Sequence, residues 1–431
     1  MEDINNSIDM KELQTGEKVK LSNGGFVTIV KELGRGGQGI VYLVDLKGEK
    51  RALKWYINPP GESFYRNLLN NIKNGAPSEA FLWPEYVTIR QKGSYGYIMA
   101  LRPKNYFEFG NFLLAKVTFK SFTAMLAAAM KICNGFMMLH RFGYSYQDLN
   151  DGNFFIDPTN GDVLICDNDN VMPEGERSGI LGKARYMAPE IVGGKMPNKY
   201  SDRFSLSVIL FMLFYANHPF EGAKVVACPC MTEAFEKKFY GTEATFIFDP
   251  NDRTNRPVKG IHQNVIRRWG VFPSKLRSVF TDQFSQDKLK NPQNRLIEAE
   301  WEKVIAGIRD ELVICPHCKE ETFVEIEGNE HKCINCGKVI DVSKYLLLGR
   351  RKQVLTKGTK LYIDHDNIPD CLIVENTTDG KLLIKNISPD MWTVETPSGK
   401  IKAVNPNEFC PVKNGLVITF SNMNKGQIIE E

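Results

Sequence analysis

Apolar and polar positions change their period along this chain, and the changes mark its parts. Residues 1–24 are polar and read as a frayed lead-in. Phe26-Val27-Thr28-Ile29-Val30 then reads as a strand, followed by Gly34-Arg35-Gly36-Gly37-Gln38-Gly39 and a second run, Ile40-Val41-Tyr42-Leu43-Val44. Two such runs about a glycine-rich turn predict a hairpin. Arg51-Ala52-Leu53-Lys54-Trp55-Tyr56 reads as the next strand. From Ser63 to Ile72 the spacing of Phe64, Leu68, Leu69 and Ile72 predicts a helix. Phe81 to Val87 reads as a loop into a further strand, Tyr97-Ile98-Met99-Ala100-Leu101. Phe122–Leu139 and Ser201–Tyr215 predict long apolar helices. From about Leu346 short apolar runs such as Leu382-Leu383-Ile384 and Val417-Ile418-Thr419 alternate with turns such as Thr378-Asp379-Gly380, which predicts a small β-sandwich.

Candidate chemistry concentrates between two of these elements. Asp148 precedes Asn153 by five positions, and Phe154-Phe155-Ile156 follows. After the turn Asp157-Pro158-Thr159-Asn160-Gly161-Asp162, a second run, Val163-Leu164-Ile165-Cys166, ends at Asp167. Two short strands joined by that turn would bring Asp148, Asn153 and Asp167 to one edge, a donor set for a hard divalent cation and a hydroxyl nucleophile. In the first hairpin, the glycines let backbone N–H groups lie close over phosphate oxygens. A dinucleotide-binding reading needs a helix opening at the glycines, and a strand follows instead.

Taken in order, these features resemble the protein-kinase superfamily from about Phe26 to Ile305. The form G-x-G-x-x-G-x-V spans Gly34 to Val41, Ala-x-Lys falls at Ala52–Lys54, and Gly182 through Ala188-Pro189-Glu190 is similar to the end of an activation segment. The resemblance implies that Gly34, Gly36, Gly37, Gly39, Val41, Ala52, Lys54, Met99, Ala100 and Leu101 contact ATP. It implies Mg²⁺ on Asn153 and Asp167, and Asp148 as the base. It also implies that Asp202 caps the catalytic-loop backbone and that Arg295 pairs with Glu190. Relatives usually carry a glutamate that pairs with the lysine; the best-aligned position here is Asn67, with Glu62 the runner-up.

The chain departs from the family at several positions. Tyr146 and Gln147 replace the histidine and arginine before the aspartate, and without that arginine a phosphate in the activation loop has no obvious partner. Asn150 replaces the lysine two positions after the aspartate, and Asp167-Asn168-Asp169 replaces Asp-Phe-Gly. Lys183, standing where a threonine is expected, is the candidate to supply the charge that Asn150 lacks. Two functions follow: a protein Ser/Thr kinase, or a nucleotide-binding pseudokinase scaffold that docks partners without phosphoryl transfer. A small-molecule hydroxyl is the other acceptor class these residues leave open.

Composition narrows the setting. A net charge of +4 over 431 residues is too small to argue for nucleic-acid or membrane partners, and neither is expected; 42% hydrophobic content is that of a soluble globular protein. The N-terminal residues show no signal peptide, so the expected compartment is the cytoplasm. Of ten cysteines, Cys315, Cys318, Cys333 and Cys336 form CxxC–x14–CxxC, the pattern of a structural Zn²⁺ site, with His317 and His331 as nearby spectators. The tail resembles forkhead-associated domains at Gly349-Arg350 and Lys385-Asn386-Ile387-Ser388. The whole resembles bacterial multidomain kinases, some of which work beside a phosphatase and a von Willebrand A-type protein. The expected organisation is α+β: lead-in 1–24, kinase N-lobe 25–102, C-lobe 103–308, zinc ribbon 309–342 and β-sandwich 343–431.

Overall fold

The computed structural model describes residues 12–176, 179, 182–328 and 331–431. Its first lobe is a six-stranded antiparallel sheet in the order β1 (Lys18–Lys20), β2 (Phe26–Arg35), β3 (Gly39–Leu46), β4 (Glu49–Tyr56), β6 (Gly96–Ala100), β5 (Pro84–Val87). The polar lead-in expected over 1–24 therefore ends early. Leu13, Val19 and Leu21 are buried while Lys18 and Lys20 face solvent, an alternation that makes β1 an edge strand on β2. Helix α1 (Glu62–Asn74) buries Phe64, Asn67, Leu68 and Asn71. Its Asn71 carbonyl accepts a hydrogen bond from Trp83 Nε1 at 2.9 Å, and Phe64 packs edge-on to Tyr56 of β4.

The second lobe is built on α2 (Phe122–Arg141), α3 (Lys199–Tyr215), α4 (Ser274–Gln283) and α5 (Glu298–Arg309). Ser121 caps α2 by accepting from Ala124 N, and Asn198 caps α3 through Tyr200 N and Ser201 N. α2 has the length and composition of a membrane span, but its apolar residues sit in the common core with Phe211, Phe280, Phe284 and Trp301. On this lobe lies a three-stranded sheet, β10 (Val163–Ile165), β9 (Phe154–Ile156), β7 (Phe107–Glu108). One short antiparallel ladder also lies here, β8 (Tyr144–Ser145) with β11 (Met172–Pro173). The turn between β9 and β10 needs Gly161: its φ is +76°, and a Cβ there would come within 1.9 Å of the Ala124 carbonyl oxygen of α2.

After α5 the chain forms β12 (Leu312–Ile314) and β13 (Glu321–Phe323), whose Phe323 packs against Phe122 and Phe272 at 5.0 and 5.5 Å. The tail then makes two sheets. One runs β15 (Arg351–Val354), β14 (Lys344–Leu348), β23 (Lys425–Glu430), β22 (Val417–Thr419), β19 (Trp392–Glu395), β20 (Ile401–Val404). The other runs β16 (Lys360–Leu361), β17 (Cys371–Glu375), β18 (Leu382–Asn386), β21 (Phe409–Pro411). Leu346, Ile373, Ile384, Trp392 and Ile418 from both sheets share one core. The tail is seated on the second lobe: Arg351 clamps Asp310 with two bonds of 2.8 and 2.9 Å, and Arg309 stacks 3.7 Å above the Tyr362 ring.

Candidate active site

Strand pairing supplies the frame. Ile165 of β10 lies opposite Phe154 of β9, so Asn153 and Asp167 leave the same end of the hairpin. A bond from Cys166 N to Asn153 O (2.8 Å) closes that end. Asn153 Oδ1 accepts from Asn150 N at 2.9 Å, and Asn150 Oδ1 accepts from Gly152 N at 3.0 Å, so the loop is wound by its own amides. Asp148 accepts from Asn150 Nδ2 at 3.3 Å. Burial pushes the Asp148 carboxyl up to about 6, against the hydrogen bond from Asn150. Gly182 lies over it: a Cβ there would be 3.3 Å from Asp148 Oδ1.

The unusual residues before Asp148 have definite partners. Tyr146 is fully buried; its hydroxyl donates to the Cys166 carbonyl and its backbone N–H to Asp202 Oδ2 at 2.7 Å. Gln147, with φ +63°, donates from Nε2 to the Glu176 carbonyl at 2.6 Å, so a neutral amide ties the loop to the segment after β11. Lys183 Nζ donates to Asn150 Oδ1 at 3.1 Å, beside Asp148. Arg295 makes the expected bidentate pair with Glu190, at 2.7 and 2.8 Å.

From the other lobe, β4 brings Lys54, whose side chain is 7% exposed. Its ammonium lies 2.9 and 3.2 Å from the two Asp169 oxygens, 3.4 Å from Asp167 Oδ1 and 3.2 Å from Gln38 Oε1 of the glycine turn. Val41 lies opposite Lys54 on β3, and Ala52 opposite Met99 on β6, with Ala100 next along and Leu101 beyond it partly exposed. A Cβ on Gly39 would come within 2.2 Å of the Trp55 carbonyl oxygen, so that glycine is required by strand approach. Gly34, Gly36 and Gly37 have open space where a side chain would stand.

One expectation fails here. Neither Asn67 nor Glu62 meets Lys54. Asn67 Nδ2 donates to the Val171 carbonyl at 2.8 Å, joined by Asn71 Nδ2 at 3.0 Å. Glu62 pairs with Arg66 and Arg90 on the outer face of α1. The partner is Asp169, wholly buried, which also accepts from the Tyr56 hydroxyl. The sequence signal for it is the second acidic side chain of Asp167-Asn168-Asp169, which puts a carboxylate where the family pattern has glycine. Asn168 beside it fills its buried position with two donated bonds, to the Leu82 and Ile165 carbonyls at 2.8 and 2.9 Å.

A second centre lies in the ribbon. The Sγ atoms of Cys315, Cys318, Cys333 and Cys336 fall within 4.8 Å of one another. Backbone N–H groups of His317 and Asn335 point at the Cys315 and Cys333 sulfurs, both at 3.4 Å. Four convergent sulfurs with amide support fit a structural zinc site. His317 Nε2 turns away to the Val339 carbonyl. In the tail, Arg350 lies in the turn between β14 and β15, and Asn386 is buried, donating to the Asp390 and Val404 carbonyls.

The model of the protein kinase domain matches residues 27–268. Among curated proteins, the chain is 27% identical over 228 residues to the rat protein kinase C delta type, covering 51% of this chain and 33% of that one. It is 24% identical over 212 residues to the serine/threonine-protein kinase PknA of Corynebacterium glutamicum, covering 45% and 44%. A 28% identical stretch of 110 residues matches the probable serine/threonine-protein kinase PknB of the same organism, 23% of this chain and 17% of that one. The chain thus spans less than half the length of each of these relatives. With the family model covering more than half of its residues, and the lysine, the two-strand hairpin and the Glu190–Arg295 pair in their places, the chain belongs to the protein kinase family.

Proposed function

We propose that this chain is an ATP-dependent protein kinase that phosphorylates a serine or threonine hydroxyl. The observation that carries the reading is the meeting of Lys54 from one lobe with Asp167, beside Asn153 and Asp148, from the other. Decay of an active site gives no reason for a buried ammonium to be kept beside those carboxylates, since burying it has a free-energy cost of its own. Phosphoryl transfer is mostly positioning and charge stabilisation. Lys54 would hold the α- and β-phosphates under the Gly34–Gly39 turn. Asn153 and Asp167 offer the oxygen donors that Mg²⁺ takes, and the bound ion would neutralise charge on the phosphate oxygens. Asp148 orients the acceptor hydroxyl and accepts its proton; its raised proton affinity suits a base. Lys183, reaching Asn150 from the activation segment, brings positive charge to the side from which the acceptor would enter. Cys315, Cys318, Cys333 and Cys336 would hold zinc through four sulfurs and leave it no open position, so its role would be structural.

The loss of a lysine at Asn150 favours the second reading, a nucleotide-binding scaffold without transfer. Incubation with radiolabelled ATP, Mg²⁺ and a protein acceptor, beside an Asp148→Ala control, separates the two. Label that vanishes in the control is expected; nucleotide binding with no incorporation would move the assignment to the scaffold.

A further inference from the structure

Lys54 is a cation taken almost wholly out of water, and such a group needs a permanent counter-charge. Two carboxylates face it, and they differ. Asp167 offers one oxygen at 3.4 Å, and its side chain is 46% exposed. Asp169 offers both oxygens, at 2.9 and 3.2 Å, and its side chain is 0% exposed. Asp169 is also anchored from a third direction by the Tyr56 hydroxyl. The turn that carries it is pinned on both sides: Asn168 binds the Leu82 and Ile165 carbonyls, and the Val171 carbonyl receives the amides of Asn67 and Asn71. The buried face of α1, Phe64, Asn67, Leu68 and Asn71, carries no carboxylate at all.

We infer that Asp169 is the positioning residue that holds the Lys54 ammonium in the cleft, leaving Asp167 free to face a metal–nucleotide, and that α1 supports this pair with no carboxylate of its own, through the Val171 carbonyl and the contact of Phe64 with Tyr56. The inference rests on the nucleotide-site reading above and adds its internal support. The two acids divide the work by exposure. The buried one keeps its ion pair throughout, because separating it would leave an uncompensated charge in a dry site. The open one can exchange partners.

The test is a fluorescence titration of the full chain with trinitrophenyl-ATP and Mg²⁺, across wild type, Lys54→Met, Asp169→Asn and the double variant. Asp169→Asn keeps the size of the side chain and an oxygen to accept from Tyr56, and removes only the charge. It is expected to weaken binding by about tenfold or more, and the double variant is expected to bind no worse than Lys54→Met alone, since coupled residues are not additive. Binding of Asp169→Asn within about twofold of wild type, or losses that multiply in the double variant, would overturn the inference. Should Asp169→Asn melt early, the melting midpoint serves as the same cycle. Removing Lys54 as well restores the midpoint if the two are partners, and lowers it further if they are not. A wild-type chain that binds the probe and transfers no phosphate ends the kinase reading alone. Asp169→Asn with wild-type binding and transfer ends this inference alone, and a wild-type chain that binds no probe ends both.

Discussion

Lys183 and Asn150 come from different stretches of chain, and on the proposed function the first stands in for the lysine absent at the second. Asn150 cannot carry charge, but its amide winds the loop and its oxygen receives the Lys183 ammonium at 3.1 Å. The ammonium is thereby directed to the side of Asp148 where a transferring phosphoryl group would sit. Charge placed there in advance lowers the barrier because it need not reorganise during the reaction. Lys183→Ala is accordingly expected to reduce kcat by about 100-fold in initial-rate measurements at saturating ATP, with Lys183→Arg retaining most of the rate. A full rate in Lys183→Ala would remove the lysine from the mechanism. Asp148, Asn153 and Asp167 were legible as a set, because their spacing around one hairpin is local. The partner of Lys54 was not, because a lysine selects its carboxylate by burial, and Asp169 is 115 positions away.

At the scale of elements, three helices are joined by one buried polar cluster. His140 at the end of α2 contacts Asp202 of α3 at 3.1 Å and Glu298 of α5 at 2.9 Å, and Arg203 also binds Glu298 at 2.9 Å. Burial alone would push the imidazole down, but the hydrogen bonds to Asp202 and Glu298 override it and hold its pKa at about 9. Burial likewise opposes the Glu298 carboxylate, and bonds from His140 and Arg203 bring it to about 2. The signs follow. His140 contributes stability that is complete below about pH 6.5 and lost as pH rises to about 9. Glu298 contributes stability present above about pH 4.5 and lost as pH falls toward 2. Calorimetric melts should therefore show a midpoint that falls between pH 6.5 and 9, by on the order of 2 kcal/mol in stability, and His140→Gln should abolish that alkaline fall. The helices themselves were legible from their apolar runs. Strand β1 was not, since three residues with lysines on either side of Val19 look like a polar tail until β2 supplies a partner.

At the scale of the whole molecule, the ribbon is a wedge between two bodies. Phe323 belongs to the core of the second lobe, while Cys315 and Cys333 share a small core with Tyr345 of β14 and Val354 of β15. Thr123 of α2 binds Glu321 of the ribbon, and Asn367 of the tail donates to the Ala127 carbonyl of α2 at 3.1 Å. Metal bound only by the folded state stabilises everything packed on it. Purified chain is expected to hold about one zinc by elemental analysis, and chelation or Cys315→Ser is expected to lower the melting midpoint of the second lobe as well as of the tail. A midpoint unmoved by chelation would separate the ribbon from the stability of its neighbours.

Most strand and helix types (β1 and β5, Pro84–Val87, excepted), the glycine turn, the hairpin that carries Asn153 and Asp167, and the two cysteine knuckles were set by patterns a few residues long. Such patterns act through backbone geometry and side-chain period, which the chain expresses locally. Which acid neutralises Lys54, what α1 binds, and how Arg351 locks the tail to Asp310 were decided only by tertiary structure. These are choices among polar groups of the same kind, made by the cost of leaving one of them dry and unpaired, and that cost exists only once distant segments have closed over it.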